Sequence, residues 1–192
     1  MSEPRMEGIV TGVRPPMLAF QGILHSFFDR LDAGEGIVLA FTSANPGEGV
    51  SHVSKSVRSQ LSASCEGSAH YVSSHQLYHD GRSGSGGRRD GYAKNGEWKS
   101  RGAWEEWRHR VSNLRACHRY SIIDCPSVST SSDALTLAPH VDGIVVVVAA
   151  NETRKAQIAN VERQIQMVNG KILGYVLNKR KYMVPDWLYK LL

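Results

Sequence analysis

Ile37-Val-Leu-Ala-Phe-Thr-Ser-Ala-Asn-Pro-Gly-Glu-Gly-Val-Ser51 is the stretch that decides the fold. Its first five residues make an apolar run of strand length, the pattern of a buried strand. Thr42 to Gly49 is a glycine-rich turn. A helix is expected from Val50 to about Ser62, with Val53, Val57 and Leu61 on one face. Strand, glycine-rich turn and helix in that order open a phosphate-binding α/β unit.

Upstream, Phe20, Leu24, Phe27, Phe28 and Leu31 share one helical face, and Gly34-Glu-Gly36 ends that helix. Residues 1–16 mix charge, glycine and proline without the apolar core of a signal peptide, and read as a flexible leader. Residues 17–192 then make one domain. Downstream, Ala69–Ser73 is a weak strand, and residues of about 80–103 form a glycine-rich basic insertion with almost no aliphatic side chains. Ala103 to Cys117 is expected to be helical, with Trp104, Trp107, Val111 and Leu114 facing the core. Tyr120 to Asp124 is the next strand. Gly143 to Ala150 lacks alternation, as a parallel strand covered on both faces does. Thr153 to Asn169 is a helix with Ile158, Val161, Ile165 and Val168 inward and Gly170 as its stop, and Ile172 to Asn178 is the last strand. Strands alternating with helices give an α/β fold, a doubly wound, mostly parallel sheet with helices on both faces, P-loop NTPase-like. The ligand belongs at the carboxyl ends of the strands.

The chain carries a net charge of +5, which suits either an acidic partner or simple solubility. Its 3 cysteines, Cys65, Cys117 and Cys125, are scattered without metal-site spacing and point to reduced thiols in a cytosol. No apolar run approaches bilayer length. The expected location is cytoplasmic.

In the loop, Pro46-Gly47 turns the chain and Gly49 opens the helix, so that backbone N–H groups can converge on phosphate oxygens. Ser51 stands where a hydroxyl would meet Mg²⁺. Val50 stands where a lysine would reach the β- and γ-phosphates. The motif is matched in shape and broken in chemistry, and taken alone it also reads as an ordinary strand-to-helix turn.

Ser43-Ala-Asn-Pro-Gly-Glu-Gly-Val-Ser51 together with YSIIDCP (120–126), SSDALTLAPHVDGIVVVV (131–148) and ILGYVLNKR (172–180) closely resembles the cytoplasmic ATPase domain of bacterial tyrosine autokinases. These belong to the capsular and exopolysaccharide synthesis family, relatives of the division-site and partition ATPases. The most specific part is Asp133 to Gly143, whose polar and apolar order fits no generic helix or strand. The resemblance implies a nucleotide site built from Pro46, Gly47, Glu48, Gly49 and Ser51, with Asn178 toward adenine. It implies Mg²⁺ held by Ser51 directly and by Asp124 through water. ATP or ADP with Mg²⁺ is the implied cofactor, bound weakly or not at all.

Departures from the family pattern are equally informative. Val50 replaces the lysine, and Ser73 and His75 fall where two aspartates would serve Mg²⁺ and the attacking hydroxyl. The C-terminal tyrosine cluster is missing, although Tyr182 and Tyr189 remain. No arginine lies between Arg14 and Arg30, where family members use arginines to form rings, so a homo-oligomer is left open. The reading is a non-catalytic pseudokinase or pseudo-ATPase that regulates or scaffolds a polysaccharide synthesis and export complex, peripheral at the inner face of the plasma membrane. Its implied partner is a membrane-embedded chain-length or co-polymerase protein. One alternative is an active ATPase or protein-tyrosine kinase with a displaced lysine. Lys55, a turn further along the helix, points away on helical geometry, so the donor would come from the basic loop. The other is a nucleic-acid-associated partition-type module carried by the basic, tryptophan-bearing stretch 82–110, which is disfavoured because Glu105 and Glu106 oppose its charge. His70, His75 and His79 with Asp80 lack a completing metal ligand, Ser127 to Ser132 lacks a nucleophile elbow, and Cys125 reads as a small buried residue.

Overall fold

The computed structural model describes residues 9–10, 36–64, 69–79 and 101–179. In chain order the elements are β1 (Ile9–Val10), β2 (Ile37–Ser43), α1 (Val50–Ser64), β3 (Ala69–Ser73), α2 (Ser74–His79), α3 (Arg101–Cys117), β4 (Tyr120–Asp124), α4 (Asp133–Leu137), β5 (Gly143–Ala149), α5 (Lys155–Met167) and β6 (Ile172–Asn178). The strands form a six-stranded sheet in the order β1-β6-β5-β2-β4-β3. Every pairing is parallel.

Alternation of side chains along β2 explains why its apolar run is unbroken. Ile37, Leu39 and Phe41 face one side of the sheet and join Val53, Val57 and Leu61 of α1. Val38 and Ala40 face the other side and join Trp107, Val111 and Leu114 of α3, Leu137 of α4, and Val161 and Ile165 of α5. Helices therefore cover both faces, and all seven residues of β2 and of β5 are buried. Since β2 sends its chain toward β3 while β5 sends its chain toward β6, the winding reverses beside β2. In open parallel sheets that is where ligands bind.

Several boundaries differ from the sequence reading for visible reasons. β2 runs on to Ser43 because Thr42 and Ser43 still pair with Val146 and Val147 of β5. α3 begins at Arg101, inside the stretch assigned to the insertion. α5 begins only at Lys155, because Arg154 before it is extended (φ −81°, ψ 147°), and its chain reversal falls on Asn169, at φ 58°, rather than on Gly170. Ile9–Val10, inside the presumed leader, pairs with Val176 and Leu177 as a short edge strand. α2 and α4, of six and five residues, are too short for a periodic signal. The leading helix with Phe20 to Leu31, residues 80–100, Tyr182 and Tyr189 lie outside the described residues, as does the side chain of Trp104.

The order of Asp133 to Gly143 now has a physical account. Asp133 accepts hydrogen bonds from the hydroxyls of Ser74 and Ser131, tying α4 to the end of β3. Ala134, Leu137 and Ala138 are fully buried against the sheet. Asp142 accepts from the Val38 N–H and from the Arg115 guanidinium, which pins α3 beside β2.

Candidate functional site

The carboxyl ends of β2, β3 and β4 lie level. Phe41 and Ser73 both pair with Asp124 in register, and Ser43 pairs with Val147 of β5. Between β2 and α1 the loop Ala44–Gly49 turns on two glycines with positive φ, Gly47 at 81° and Gly49 at 94°. The first turn of α1 follows at once, and the leading N–H groups of any helix lack partners within it. The loop thus has the shape that the sequence reading expected.

Glu48 is 3% exposed, and its carboxylate is turned back into the protein. It accepts from the Ala44 N–H at 3.1 Å, the Asn45 amide at 2.9 Å and the Thr153 hydroxyl at 2.6 Å. Asn178, on the last residue of β6, donates to the Glu48 carbonyl at 2.9 Å. The Gln157 amide of α5 donates to the Asn45 side chain. The loop is therefore latched to the β5–α5 connection and to β6 by side-chain bonds. Thr153, Gln157 and Asn45 carry this latch, and the sequence reading passed over all three. Thr153 and Gln157 stand outside the phosphate motif, Asn45 fills one of its unspecified positions, and only the crossing of distant strands brings the three together.

The positions singled out for chemistry divide into two groups. Pro46 and Gly47 are exposed at the loop tip, and Ser51 is exposed at the start of α1. Val50 is 9% exposed and joins the apolar cluster of Phe41, Val53 and Val145, directed into the protein. Ser73 bonds to Gln76 within the turn into α2, and His75 is exposed on α2. Lys55 is exposed, with its ammonium 5.7 Å from the centre of the Tyr71 ring of β3.

Tyr71 is the residue that the sequence reading missed. Its hydroxyl donates to Asp124 Oδ2 at 2.7 Å, and the Ser51 side chain lies beside the same phenol. Burial raises the Tyr71 pKa first, and the hydrogen bond to and charge of Asp124 add to it against the opposing effect of Ser51, so the phenol stays protonated. The sequence places Tyr71 two residues before Ser73 and so on its face of the strand, but does not say how far its phenol reaches. The family resemblance assigns Mg²⁺ to Ser51 and Asp124. Here Asp124 accepts from the Tyr71 hydroxyl, which lies beside Ser51 as well, so the oxygens that would hold a cation face a protein donor instead.

Cys125 is buried, and its thiol pKa is pushed up by burial and then by the charges of Asp133 and Asp124, so no neighbouring dipole activates it. Ser127 is buried, with its hydroxyl bonded to Ser129 and Thr130 as loop structure. His70 stacks on His118 with ring centres 4.3 Å apart. Among the described residues no group of histidine, cysteine and acidic side chains is arranged to hold a metal ion, and no helix is long and apolar enough to cross a membrane.

No protein-family model matches the chain. Over 69 residues it is 30% identical to the succinoglycan biosynthesis transport protein ExoP of Rhizobium meliloti, a stretch covering 36% of this chain and 9% of that protein. The kinase domain of the Escherichia coli tyrosine kinase ETK superposes with a TM-score of 0.62 at 15% identity, over 85% of this chain and 76% of that one. The VpsO kinase domain does so with a TM-score of 0.57 at 21% identity, over 85% of this chain and 94% of that one. Identities this low speak to fold. In fold, the chain is a structural relative of these bacterial kinase domains.

Proposed function

We propose that the chain is a nucleotide-binding relative of the exopolysaccharide tyrosine autokinases that does not transfer phosphate, and that it regulates or scaffolds a polysaccharide synthesis and export complex. The carrying observation is Val50, the residue at the lysine position, buried in the apolar cluster under α1. Phosphoryl transfer depends on positive charge gathered around the transferred group. Losing one such contact typically costs about 3 kcal/mol of transition-state stabilisation, and Ser73 and His75 supply no carboxylate at the other two positions. The loop with Gly47 and Gly49, the start of α1 at Ser51, and Asn178 beside Glu48 remain to receive phosphate and base.

Calorimetric titration with ATP and ADP, paired with phosphate-release and phosphotyrosine assays, tests this reading. Binding without turnover is expected. A phosphate-release or autophosphorylation rate abolished by Asp124→Asn would overturn it. The proposed partner is a membrane-embedded chain-length or co-polymerase protein, as the similarity to a succinoglycan transport protein suggests. Crosslinking in polysaccharide-producing cells should recover it, and failure to do so removes the scaffold role.

The placement of Lys55 beside Tyr71 favours testing a second reading, an active enzyme with a displaced lysine. Turnover that is lost in Lys55→Ala would establish it.

A further inference from the structure

Three side chains meet at the carboxyl ends of β3 and β4 and the start of α1. Tyr71 starts two residues short of Ser73, which is itself level with Asp124. Two residues rise about 6.6 Å along a parallel strand, and a phenol can span such a distance when it leans along the strand. The ring is partly buried against the apolar cluster under α1 and flanked by the Lys55 ammonium. Its hydroxyl is thereby delivered to the top of the sheet, where it donates to Asp124 and lies beside Ser51.

Those two oxygens come from separate elements, Ser51 from the start of α1 and Asp124 from the end of β4. A divalent cation usually joins them, drawing on the hydroxyl at the helix start and the acid at the strand end. We propose that the Tyr71 hydroxyl occupies the divalent-cation position of this site, so that nucleotide held by the loop is held without metal. The inference rests on the nucleotide site proposed above. Tyr71 gives one neutral donor in place of a double positive charge, so it closes the gap between β4 and α1 and leaves the phosphates without a counter-ion there. The bar to metal is thus steric occupation by a removable group, and the oxygen donors themselves are retained.

The test compares ATP binding to the full chain and to Tyr71→Phe, each with saturating Mn²⁺ or with EDTA. Phenylalanine keeps the ring and its packing, and a thermal melt checks that the variant folds. Wild type should bind ATP equally under both conditions. Tyr71→Phe should bind about tenfold more tightly with Mn²⁺, a difference of about 1.4 kcal/mol, with the Mn²⁺ resonance broadened in the ternary complex. The gain should disappear in Tyr71→Phe/Asp124→Asn. Wild-type binding that already requires Mn²⁺ and Asp124 overturns the proposal, whatever the variant does. So does a folded Tyr71→Phe that is indifferent to metal. If neither protein binds ATP under either condition, the nucleotide reading falls and takes this inference with it, an outcome distinct from metal-indifferent binding.

Discussion

Gly47 and Gly49 stand two apart in the loop and both have positive φ, yet they are glycine for different reasons. A side chain at Gly47 would meet nothing within 4 Å, so only its backbone angle matters. At Gly49 an added Cβ would come within 2.1 Å of Asn178 Nδ2, the group that donates to the Glu48 carbonyl. Gly47→Ala should therefore cost about 1 kcal/mol, the usual penalty of a left-handed residue. Gly49→Ala adds loss of the Asn178 bond and should cost about 3 kcal/mol. Urea unfolding measures both, and equal values would mean that Asn178 yields without loss. The glycines were readable from sequence because φ > 0 selects their residue type. Tyr71 was not, because nothing in AHYVS states how far along the strand its phenol reaches.

At the level of elements, two contacts decide how the helices and strands are held. Arg115 of α3 reaches Asp142, whose side chain is 5% exposed and also accepts from the Val38 N–H. Arg115→Met should cost about 2 kcal/mol, below the range for a fully buried pair because the arginine is partly solvated. With Asp142→Asn the combined loss should be less than additive in a double-mutant cycle by urea unfolding. On β3, His70 stacks on His118. Its pKa is lowered from 6.5, chiefly by burial and then by the charges of His118 and Arg58. A lowered basic pKa means that the unfolded chain takes up the proton first. Stability should be unaffected by this group above pH 6.5 and should fall as pH drops below it. His70→Gln should flatten that part of the unfolding free energy measured from pH 8 to pH 5.5, and an unchanged slope would assign it elsewhere. The long elements were legible because an apolar run or a 3.6-residue period repeats within each. α4 was not, since its Asp133 is satisfied by Ser74, 59 residues away in sequence, and no local pattern records that.

For the whole molecule, burial is concentrated on the middle of the sheet. β2 and β5 are buried throughout, whereas in β6 only Val176 is. Hydrogen exchange by mass spectrometry should find Ile37–Ser43 and Gly143–Ala149 opening only with global unfolding, and Ile172–Asn178 exchanging through smaller openings. Uniform protection across the three would mean that the sheet opens as one unit. The strand order also has a consequence during synthesis. β2 is the first of the buried strands to leave the ribosome, yet it pairs only with β4 and β5, which follow some 80 to 100 residues later. At typical elongation rates that is roughly 5–20 s, during which a nascent chain displays a seven-residue strand, mostly apolar, that has no strand to pair with. Trigger-type holdases should crosslink to nascent Ile37–Ser43 until Ala149 has emerged, and release should coincide with closure of the sheet around its oldest strand.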